Sequence, residues 1–202
     1  MDKYFIIYKP YKMVSQFVSS HSVKLLCDLE YDFPEGTHAI GRLDSDSEGL
    51  LLLTTDKSIT GLLLHPKHQH KRTYIVQVEK SITEEALKKM RSGIEILVKG
   101  RGSYFTQPCE VTVIDKPKDL PARGHEFRED LPQSWLEITL MEGKNRQIRK
   151  MCSAVRHDCK RLIRWSIVNL ELGNLQPGEV KEISKEEIFE KLDLNLSLIL
   201  KS

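Results

Sequence analysis

The stretch Gly41-Arg42-Leu43-Asp44-Ser45-Asp46-Ser47-Glu48-Gly49 stands directly before the apolar run Leu50-Leu51-Leu52-Leu53. Four consecutive leucines next to a glycine predict a strand that is buried on both faces. A polar loop that leads into a rigid buried strand can hold a carboxylate in a fixed position. Asp44 is therefore a candidate catalytic residue, although an Asp in a glycine-bounded loop is more often a turn or capping residue.

The composition is that of an ordinary globular protein. The chain has 202 residues, of which 40% are hydrophobic and 30% charged, enough for one sizeable core or for two small lobes. No apolar run reaches the length of a membrane span, and the first residues lack the layout of a signal peptide. We therefore expect a cytoplasmic protein with no membrane partner.

The cysteines and histidines do not predict a metal site. The four cysteines are widely spaced and form no CxxC pair: Cys27, Cys109, Cys152 and Cys159. His65, His68 and His70 surround a proline without a helical i,i+4 pair or an adjacent carboxylate. We expect thiols that are buried or incidental, and a solvated basic loop from His65 to Arg72 that faces a polyanionic partner.

Positive charge is concentrated in one part of the chain. The formal net charge is only +2, which alone is weak evidence for a nucleic-acid partner. Between Glu142 and Arg164, however, eight Lys and Arg residues stand against two acidic residues. A basic zone on an otherwise balanced chain predicts a local binding site for a polyanion.

Apolar patterning predicts alternating strands and helices. Strands are expected at Tyr4–Tyr8, Leu50–Leu53, Thr73–Glu79, Ile94–Val98, Glu110–Ile114 and Ser134–Met141. Helices are expected at Val23–Leu29, at Lys57–Leu64 with Asp56 as its cap, at Thr83–Arg91, and after Asn145 as an N-cap. Gly100-Arg101-Gly102 is expected at a hairpin or loop tip, and Lys116–Gln133 in a long surface loop that is mobile or contacts the polyanion.

The helix after Asn145 has one apolar stripe at i, i+3, i+4 and i+7, formed by Ile148, Met151, Cys152 and Val155. On a helical wheel Arg149 lies at the edge of this stripe, whereas Arg146 and Lys150 point away from it. We therefore expect Arg149 to be partly buried, and Arg146 and Lys150 to be free to meet phosphates. A solvated basic face is the simpler reading of the same pattern.

Three motifs together resemble those of the RNA pseudouridine synthases, in the branch that modifies ribosomal RNA. GRLDSDSEGLLLLTTD (residues 41–56) resembles the first signature of that family, KRTYIVQVE (71–79) the second and EGKNRQIRKM (142–151) the third. The likeness runs from about Tyr4 to Ile183. Thr55 and Lys57 depart from the usual Asn and Gly, which leaves the choice of target open but not the reaction.

The resemblance implies roles for three residues. Asp44 would be the catalytic carboxylate, Tyr74 would stack on the target base, and Arg149 would pair with Asp44. Ile148 would pack beside the tyrosine. Without the resemblance, Tyr74 is more simply a core tyrosine at the end of a strand.

The resemblance also implies a fold and a domain organisation. We expect an α+β protein with a largely antiparallel mixed sheet, flanking helices and a central RNA-binding cleft. Residues 1–202 would form one catalytic domain, as a single body or as two lobes that share one sheet. We expect no small S4-type RNA-binding domain before it.

The expected activity is isomerisation of a specific uridine to pseudouridine, after base flipping, in a stem-loop of large-subunit (23S) ribosomal RNA. This reaction needs no cofactor and no metal, and we expect a monomer. The residues expected to contact RNA are Arg42, Lys71, Arg72, Lys144, Asn145, Arg146, Gln147, Ile148, Lys150, Arg161 and Arg164.

Two other functions fit parts of the sequence. A non-catalytic RNA-binding or ribosome-assembly module would use the basic helix and not Asp44. A hydrolase would pair Asp44 with Asp46 or Glu48, but no substrate groove is legible in the sequence.

Overall fold

The computed structural model describes residues 2–64, 69–98, 100 and 102–194. In chain order its elements are β1 (Tyr4–Lys9), β2 (His38–Ile40), β3 (Glu48–Thr54), α1 (Lys57–Leu64), β4 (Arg72–Glu79), α2 (Glu84–Ser92), β5 (Glu95–Val98), β6 (Gly102–Phe105), β7 (Glu110–Ile114), β8 (Gln133–Leu140), α3 (Gln147–Ala154), β9 (Cys159–Ile167), β10 (Leu170–Glu171), β11 (Val180–Ile183) and α4 (Lys185–Lys191). This is the predicted α+β class.

The chain forms two compact units. The first comprises Met1–His70 and Arg164–Ser202, and the second comprises Lys71–Ile163. The chain passes from the second unit back into the first within β9. Among the described residues, no helix combines the length and the apolar character that a membrane span requires.

In the first unit, β1 pairs antiparallel with β3 on one side and with β11 on the other, and β2 also pairs antiparallel with β3. All seven residues of β3 are buried, as the leucine run predicts. On one face of this sheet Phe5, Ile7, Leu51 and Leu53 pack into a single apolar cluster. The short β10 extends the sheet by pairing with the end of β9.

In the second unit, β8 lies between β4 and β7, and both pairings are antiparallel. The separate hairpin of β5 and β6 is also antiparallel. Helices α2 and α3 contribute Leu87, Met90, Ile148 and Met151 to one apolar cluster, which they share with the strands. This cluster fixes the side of α3 that faces inward.

Two helices begin at caps that the sequence indicates. The Asp56 carboxylate accepts the backbone N–H of Ser58 at 2.9 Å, so the predicted cap of α1 is confirmed. The hydroxyl of Thr83 accepts the N–H of Ala86 at the start of α2. Gly93 ends α2 with φ +92, where a Cβ would meet the carbonyl oxygen of Thr106 at 2.3 Å, so only glycine fits there.

The six predicted strands are confirmed to within one or two residues, and the long loop from 116 to 132 has no helix or strand. Two predictions are corrected. The helix expected at Val23–Leu29 is only a 3-10 turn at Leu26–Asp28. Arg146, not Asn145, is the N-cap residue of α3. The predicted hairpin at Gly100 is present with β6 as its second strand, although Arg101 lies outside the described residues.

Candidate active site

Asp44 is half-buried in the loop of residues 41–48, which we call the Asp44 loop. Two glycines with positive φ bound it, Gly41 at +73 and Gly49 at +100, where other residues would be strained. Within the loop, Ser47 donates its N–H to the carbonyl oxygen of Asp44 at 3.0 Å. The backbone therefore turns at Asp44 itself.

The segment after β1 supports the Asp44 loop through backbone contacts. The hydroxyl of buried Ser15 accepts the N–H of Leu43 at 3.0 Å and donates to the Leu43 carbonyl at 2.9 Å. The N–H of Lys12 donates to the carbonyl oxygen of Ser45 at 2.7 Å. The residues on both sides of Asp44 are thus fixed by one neighbouring segment, as the geometry of a catalytic carboxylate requires.

Lys9 organises this supporting segment. It is the last residue of β1, opposite Gly49, and its side chain is fully buried. Its ammonium donates to the carbonyl oxygens of Pro10 and Met13, each at 2.7 Å. Because a buried ammonium is costly unless its protons are bonded, these contacts fix the turn between β1 and Ser15.

The charges around Lys9 are unusually dense. Burial lowers the pKa of Lys9 to about 8, against the opposing effect of the carboxylates of Glu48, Asp46 and Asp44; the guanidinium of Arg164 lowers it further. The Asp44 loop therefore carries its three acids beside two buried cations of the same unit. These cations offset part of the cost of holding several carboxylates close together.

Arg164 was predicted to contact RNA, but it is only 5% exposed and its Nε donates to the carbonyl oxygen of Leu50 at 2.7 Å. Asp56 is also internal, because it accepts the hydroxyl of Tyr4 at 2.6 Å. Burial alone would raise the pKa of Asp56, but hydrogen bonds from Ser58 and Tyr4 outweigh it and leave the pKa below its usual value. Both residues serve the interior of the first unit.

Tyr74 lies on β4 in the second unit, opposite Ile138 of β8. It is half-buried and packs against the apolar cluster that also contains Ile148. Tyr74 and Ile148 therefore contact the same apolar cluster, which is consistent with the prediction that they pack beside each other. Part of the Tyr74 residue is exposed to solvent.

Arg149 lies in the first turn of α3 and is half-buried, as the helical wheel predicts. Its Nη1 donates to the carbonyl oxygen of Cys159 at 3.3 Å and lies 3.6 Å from the Cys159 sulfur. The predicted stripe is also confirmed, since Ile148, Met151 and Cys152 are buried. The guanidinium is thus held by β9 of its own unit.

The turn of residues 142–147, which leads into α3, is built around Glu142. Its carboxylate accepts the hydroxyl of Tyr104, the backbone N–H of Gln107 at 2.9 Å and the Nε2 of Gln147 at 2.8 Å. The Gln147 side chain in turn accepts the N–H of Lys144 at 2.9 Å. These bonds fix the start of α3, where Ile148 and Arg149 follow.

The predicted RNA contacts divide into exposed and internal residues. Arg42, Lys71, Asn145 and Arg146 are exposed, and Arg72, Lys144 and Lys150 are half-buried. Gln147, Ile148, Arg161 and Arg164 are buried. Of the half-buried cations, Lys144 lies 4.6 Å from the centre of the Tyr104 ring, and Lys150 donates to the carbonyl oxygen of Asn145.

Arg161 belongs to the interior because the loop of residues 116–132 covers it. Its Nη2 donates to the carbonyl oxygen of Pro121 at 2.7 Å, and Nη1 lies 3.7 Å from the Glu126 carboxylate. Arg123 of the same loop donates from Nη2 to the carbonyl oxygen of Lys160 at 2.9 Å. The loop is thus attached to β9, which argues against Arg161 as a surface cation.

The described residues include no group of three or more His, Cys, Asp or Glu side chains that could hold a metal ion. His65 and His68, and with them half of the basic loop from His65 to Arg72, lie outside the described residues. Asp44 in the first unit, and Tyr74 and Arg149 in the second, are the candidate catalytic residues.

The sequence of this chain matches one family model. The model, described as RNA pseudouridylate synthase, covers residues 3–154, which include all three motifs. The chain belongs to the RNA pseudouridylate synthase family. It is an RNA pseudouridine synthase, an isomerase that converts uridine to pseudouridine, as the motifs predict.

Individual members of the family are similar to this chain over most of its length. The chain is 40% identical over 185 residues to the ribosomal large subunit pseudouridine synthase E of Vibrio parahaemolyticus serotype O3:K6, covering 90% of this chain and 74% of that one. It is 36% identical to the synthase of the same description from Xanthomonas axonopodis pv. citri, covering 85% and 89%. A crystal structure of a pseudouridylate synthase superposes with a TM-score of 0.75 at 27% identity, covering 95% of this chain and 74% of that one.

Sequence reasoning missed three residues that hold the segments carrying the candidate residues: Lys9 in the first unit, and Glu142 and Cys159 in the second. In the sequence, Lys9 stands directly after the predicted strand Tyr4–Tyr8 and before Pro10. Glu142 is the first residue of the third motif, and Cys159 is one of four widely spaced cysteines. Only Lys9 has a local signal in the sequence, because it is a charged residue directly after an apolar strand.

The buried ammonium of Lys9 makes a prediction about stability and pH. Its pKa is about 8 in the folded protein and near 10.5 ordinarily, so between these values the unfolded chain binds more protons. The free energy of unfolding should therefore rise with pH in this window, by on the order of 3 kcal/mol in total. Lys9→Met should lack that rise, as urea unfolding from pH 7.5 to 10 would measure.

Lys12→Met provides the matched control, because it removes a lysine that is exposed and not part of the interior. Its curve should run parallel to that of the unmodified protein. A Lys9→Met curve that also runs parallel would show that the buried lysine is not the titrating group.

Proposed function

We propose that this synthase isomerises one specific uridine in the large-subunit ribosomal RNA. The observation that carries the proposal is the 40% identity over 185 residues to a relative named for the large ribosomal subunit. A second relative of the same description, 36% identical over 177 residues, supports it. A stem-loop of that RNA is the proposed substrate.

We assign the catalytic carboxylate to Asp44. The reaction breaks the bond between ribose C1′ and uracil N1, turns the base and rejoins it through C5, so no atoms are lost. It needs an ionised carboxylate held beside the glycosidic bond. The supports of the Asp44 loop by Ser15 and Lys12 favour this role, because a fixed carboxylate need not be reoriented during the reaction.

The proposal gives Arg149 and Tyr74 supporting roles. A guanidinium near a carboxylate favours its ionised form, and Arg149 is the proposed source of that charge for Asp44. The uridine must leave its helix before Asp44 can reach it, which costs a few kcal/mol. Stacking on Tyr74 would return about 1–3 kcal/mol, and phosphate contacts would supply the rest.

Exposure selects the proposed phosphate contacts. Arg42, Lys71 and Arg146 are exposed cations, and long-range attraction of RNA depends on charges that water also reaches. Lys71 lies 3.3 Å from the exposed carboxylate of Glu110, a weak contact that RNA could replace. We further propose that the synthase acts as a monomer in the cytoplasm.

Asp44→Asn should fold normally and release no tritium above background from RNA that is labelled at uridine C5, because the amide cannot supply the negative charge. Circular dichroism and urea unfolding would check the fold. Asp46→Asn is the matched control, because it removes another carboxylate of the same loop. It should keep most of the activity, because Asp46 has no catalytic role in the proposal. Full activity of Asp44→Asn would contradict the assignment.

Arg149→Ala and Arg146→Ala should affect different steps, the first the rate of isomerisation and the second the binding of RNA. Loss of Arg149 should lower the single-turnover rate with little change in RNA affinity, because its charge acts on the reacting carboxylate. Loss of Arg146 should weaken RNA binding and reduce the slope of log affinity against log salt by about 1. Filter binding at several salt concentrations and rapid-quench assays would separate the two, and equal effects on rate and affinity in both variants would refute the division.

Mapping of pseudouridines in total RNA from a strain that lacks this gene should show one large-subunit position reverting to uridine. Re-expression of the unmodified protein should restore that position, and the Asp44→Asn variant should not. Loss of a pseudouridine from another RNA class instead would keep the activity but overturn the proposed substrate.

A further inference from the structure

Two cysteines of the second unit meet beside Arg149. Cys152 lies on α3 and is fully buried, and Cys159 begins β9 and is half-buried. Cys152 belongs to the apolar cluster of the second unit and Cys159 packs against that cluster, and hydrogen bonding to the Cys159 side chain raises the pKa of the Cys152 thiol. The same Cys159 sulfur lies 3.6 Å from Nη1 of Arg149 and 3.4 Å from the carbonyl oxygen of Arg161. One sulfur atom therefore contacts both a second thiol and the guanidinium.

We propose that Cys152 and Cys159 form a reversible disulfide under mild oxidation by peroxide, and that this bond withdraws the contact that holds Arg149. The inference rests on the role given to Arg149 above. It assigns to the pair a modification site of the thiol–disulfide class, placed one helical turn from the proposed charge partner of Asp44.

Cys159 is the thiol that reacts first. A nearby guanidinium favours the thiolate form, which is the nucleophile, and part of the Cys159 residue is open to solvent. Hydrogen bonding to Cys159, together with burial, raises the pKa of the Cys152 thiol above its usual value. Cys152 is therefore the less reactive of the two thiols toward peroxide, and its position beside Cys159 makes it the resolving thiol.

The chemistry balances with hydrogen peroxide as the oxidant. The Cys159 sulfur attacks one peroxide oxygen, the O–O bond breaks, and the departing hydroxide takes up a proton as water, which leaves a sulfenic acid. The Cys152 sulfur then attacks the Cys159 sulfur, the S–O bond breaks, and the hydroxide leaves with the Cys152 proton as a second water. Two thiols and one peroxide thus give one disulfide and two waters.

The disulfide changes the surroundings of Arg149 directly. The Cys159 sulfur that now contacts Nη1 would be bonded to Cys152 and become a poorer acceptor. The Cys159 carbonyl oxygen, which accepts from Nη1 at 3.3 Å, belongs to the same residue, so a movement of Cys159 on bonding would alter both contacts of Arg149. Because a displacement of about 1 Å can cost roughly a hundredfold in rate, a small movement here is enough to be measured.

The other two cysteines provide a clean background for the experiment. Cys27 is exposed and would react without structural consequence. Cys109 donates to the carbonyl oxygen of Met90, and burial raises the pKa of its thiol to about 11. A variant with Cys27→Ser and Cys109→Ser should keep the activity, because neither residue belongs to the proposed site.

In this background the test is treatment with hydrogen peroxide followed by trypsin without reductant. Trypsin cleaves after Lys150, Arg156 and Lys160, so the two thiols fall on separate peptides, residues 151–156 and 157–160. Mass spectrometry should find these peptides joined, and dithiothreitol should separate them. In a Cys152→Ala variant, dimedone should instead label the peptide 157–160 at the sulfenic acid.

Activity is measured on the same samples. Peroxide should lower the single-turnover rate by roughly tenfold or more, dithiothreitol should restore it, and RNA affinity should change little. Dithiothreitol does not reduce methionine sulfoxide, so recovery excludes that lesion. The Cys159→Ala variant, whatever its starting rate, should not lose further activity on brief peroxide treatment.

Absence of the joined peptides would overturn the proposal, as would joined peptides with an unchanged rate. Neither result bears on the proposed function, which is tested on the reduced protein. Formation of the disulfide is read from peptide masses alone and does not depend on the RNA substrate.

Discussion

The buried ammonium of Lys9 is the constraint on which the first unit depends. Moving a lysine out of water costs several kcal/mol unless its protons find acceptors, and here two carbonyl oxygens, of Pro10 and Met13, are held at 2.7 Å. Those carbonyls can be supplied only by a tight turn directly after β1. The turn places Lys12 and Ser15 against the Asp44 loop. The turn that stabilises the buried ammonium of Lys9 therefore also helps to fix the position of the Asp44 carboxylate.

The second unit uses the opposite charge for the same purpose. The carboxylate of Glu142, whose side chain is only 8% exposed, collects donors from the β6 strand, the residues after it and Gln147 at the start of α3. The chain can then turn sharply enough for Arg146 to adopt a left-handed conformation with φ +54. A buried cation thus shapes the segment that carries Asp44, and a buried anion shapes the segment that carries Arg149.

The sequence predicts what depends on local pattern and fails where long-range contacts decide. The leucine run, the alternation in β4 and the stripe of α3 are periodic, so their elements and buried faces follow directly. Strand β9 has no comparable pattern, because Arg161 and Arg164 interrupt its apolar residues. Their burial depends on Pro121 and Glu126 and on Leu50, which lie roughly 35 to 115 positions away in the chain and leave no local signal.

A basic stretch in a sequence is consequently not the same as a basic surface. Between Glu142 and Arg164 the cations were grouped by charge alone, yet Arg161 and Arg164 are buried and Lys160 lies 2.6 Å from Glu79. Only cations that water and counterions reach contribute to the salt dependence of RNA binding. The internal cations of this synthase hold loops and carbonyl groups in place. Fewer charges are therefore available to bind RNA than the composition implies, and more of them stabilise the fold.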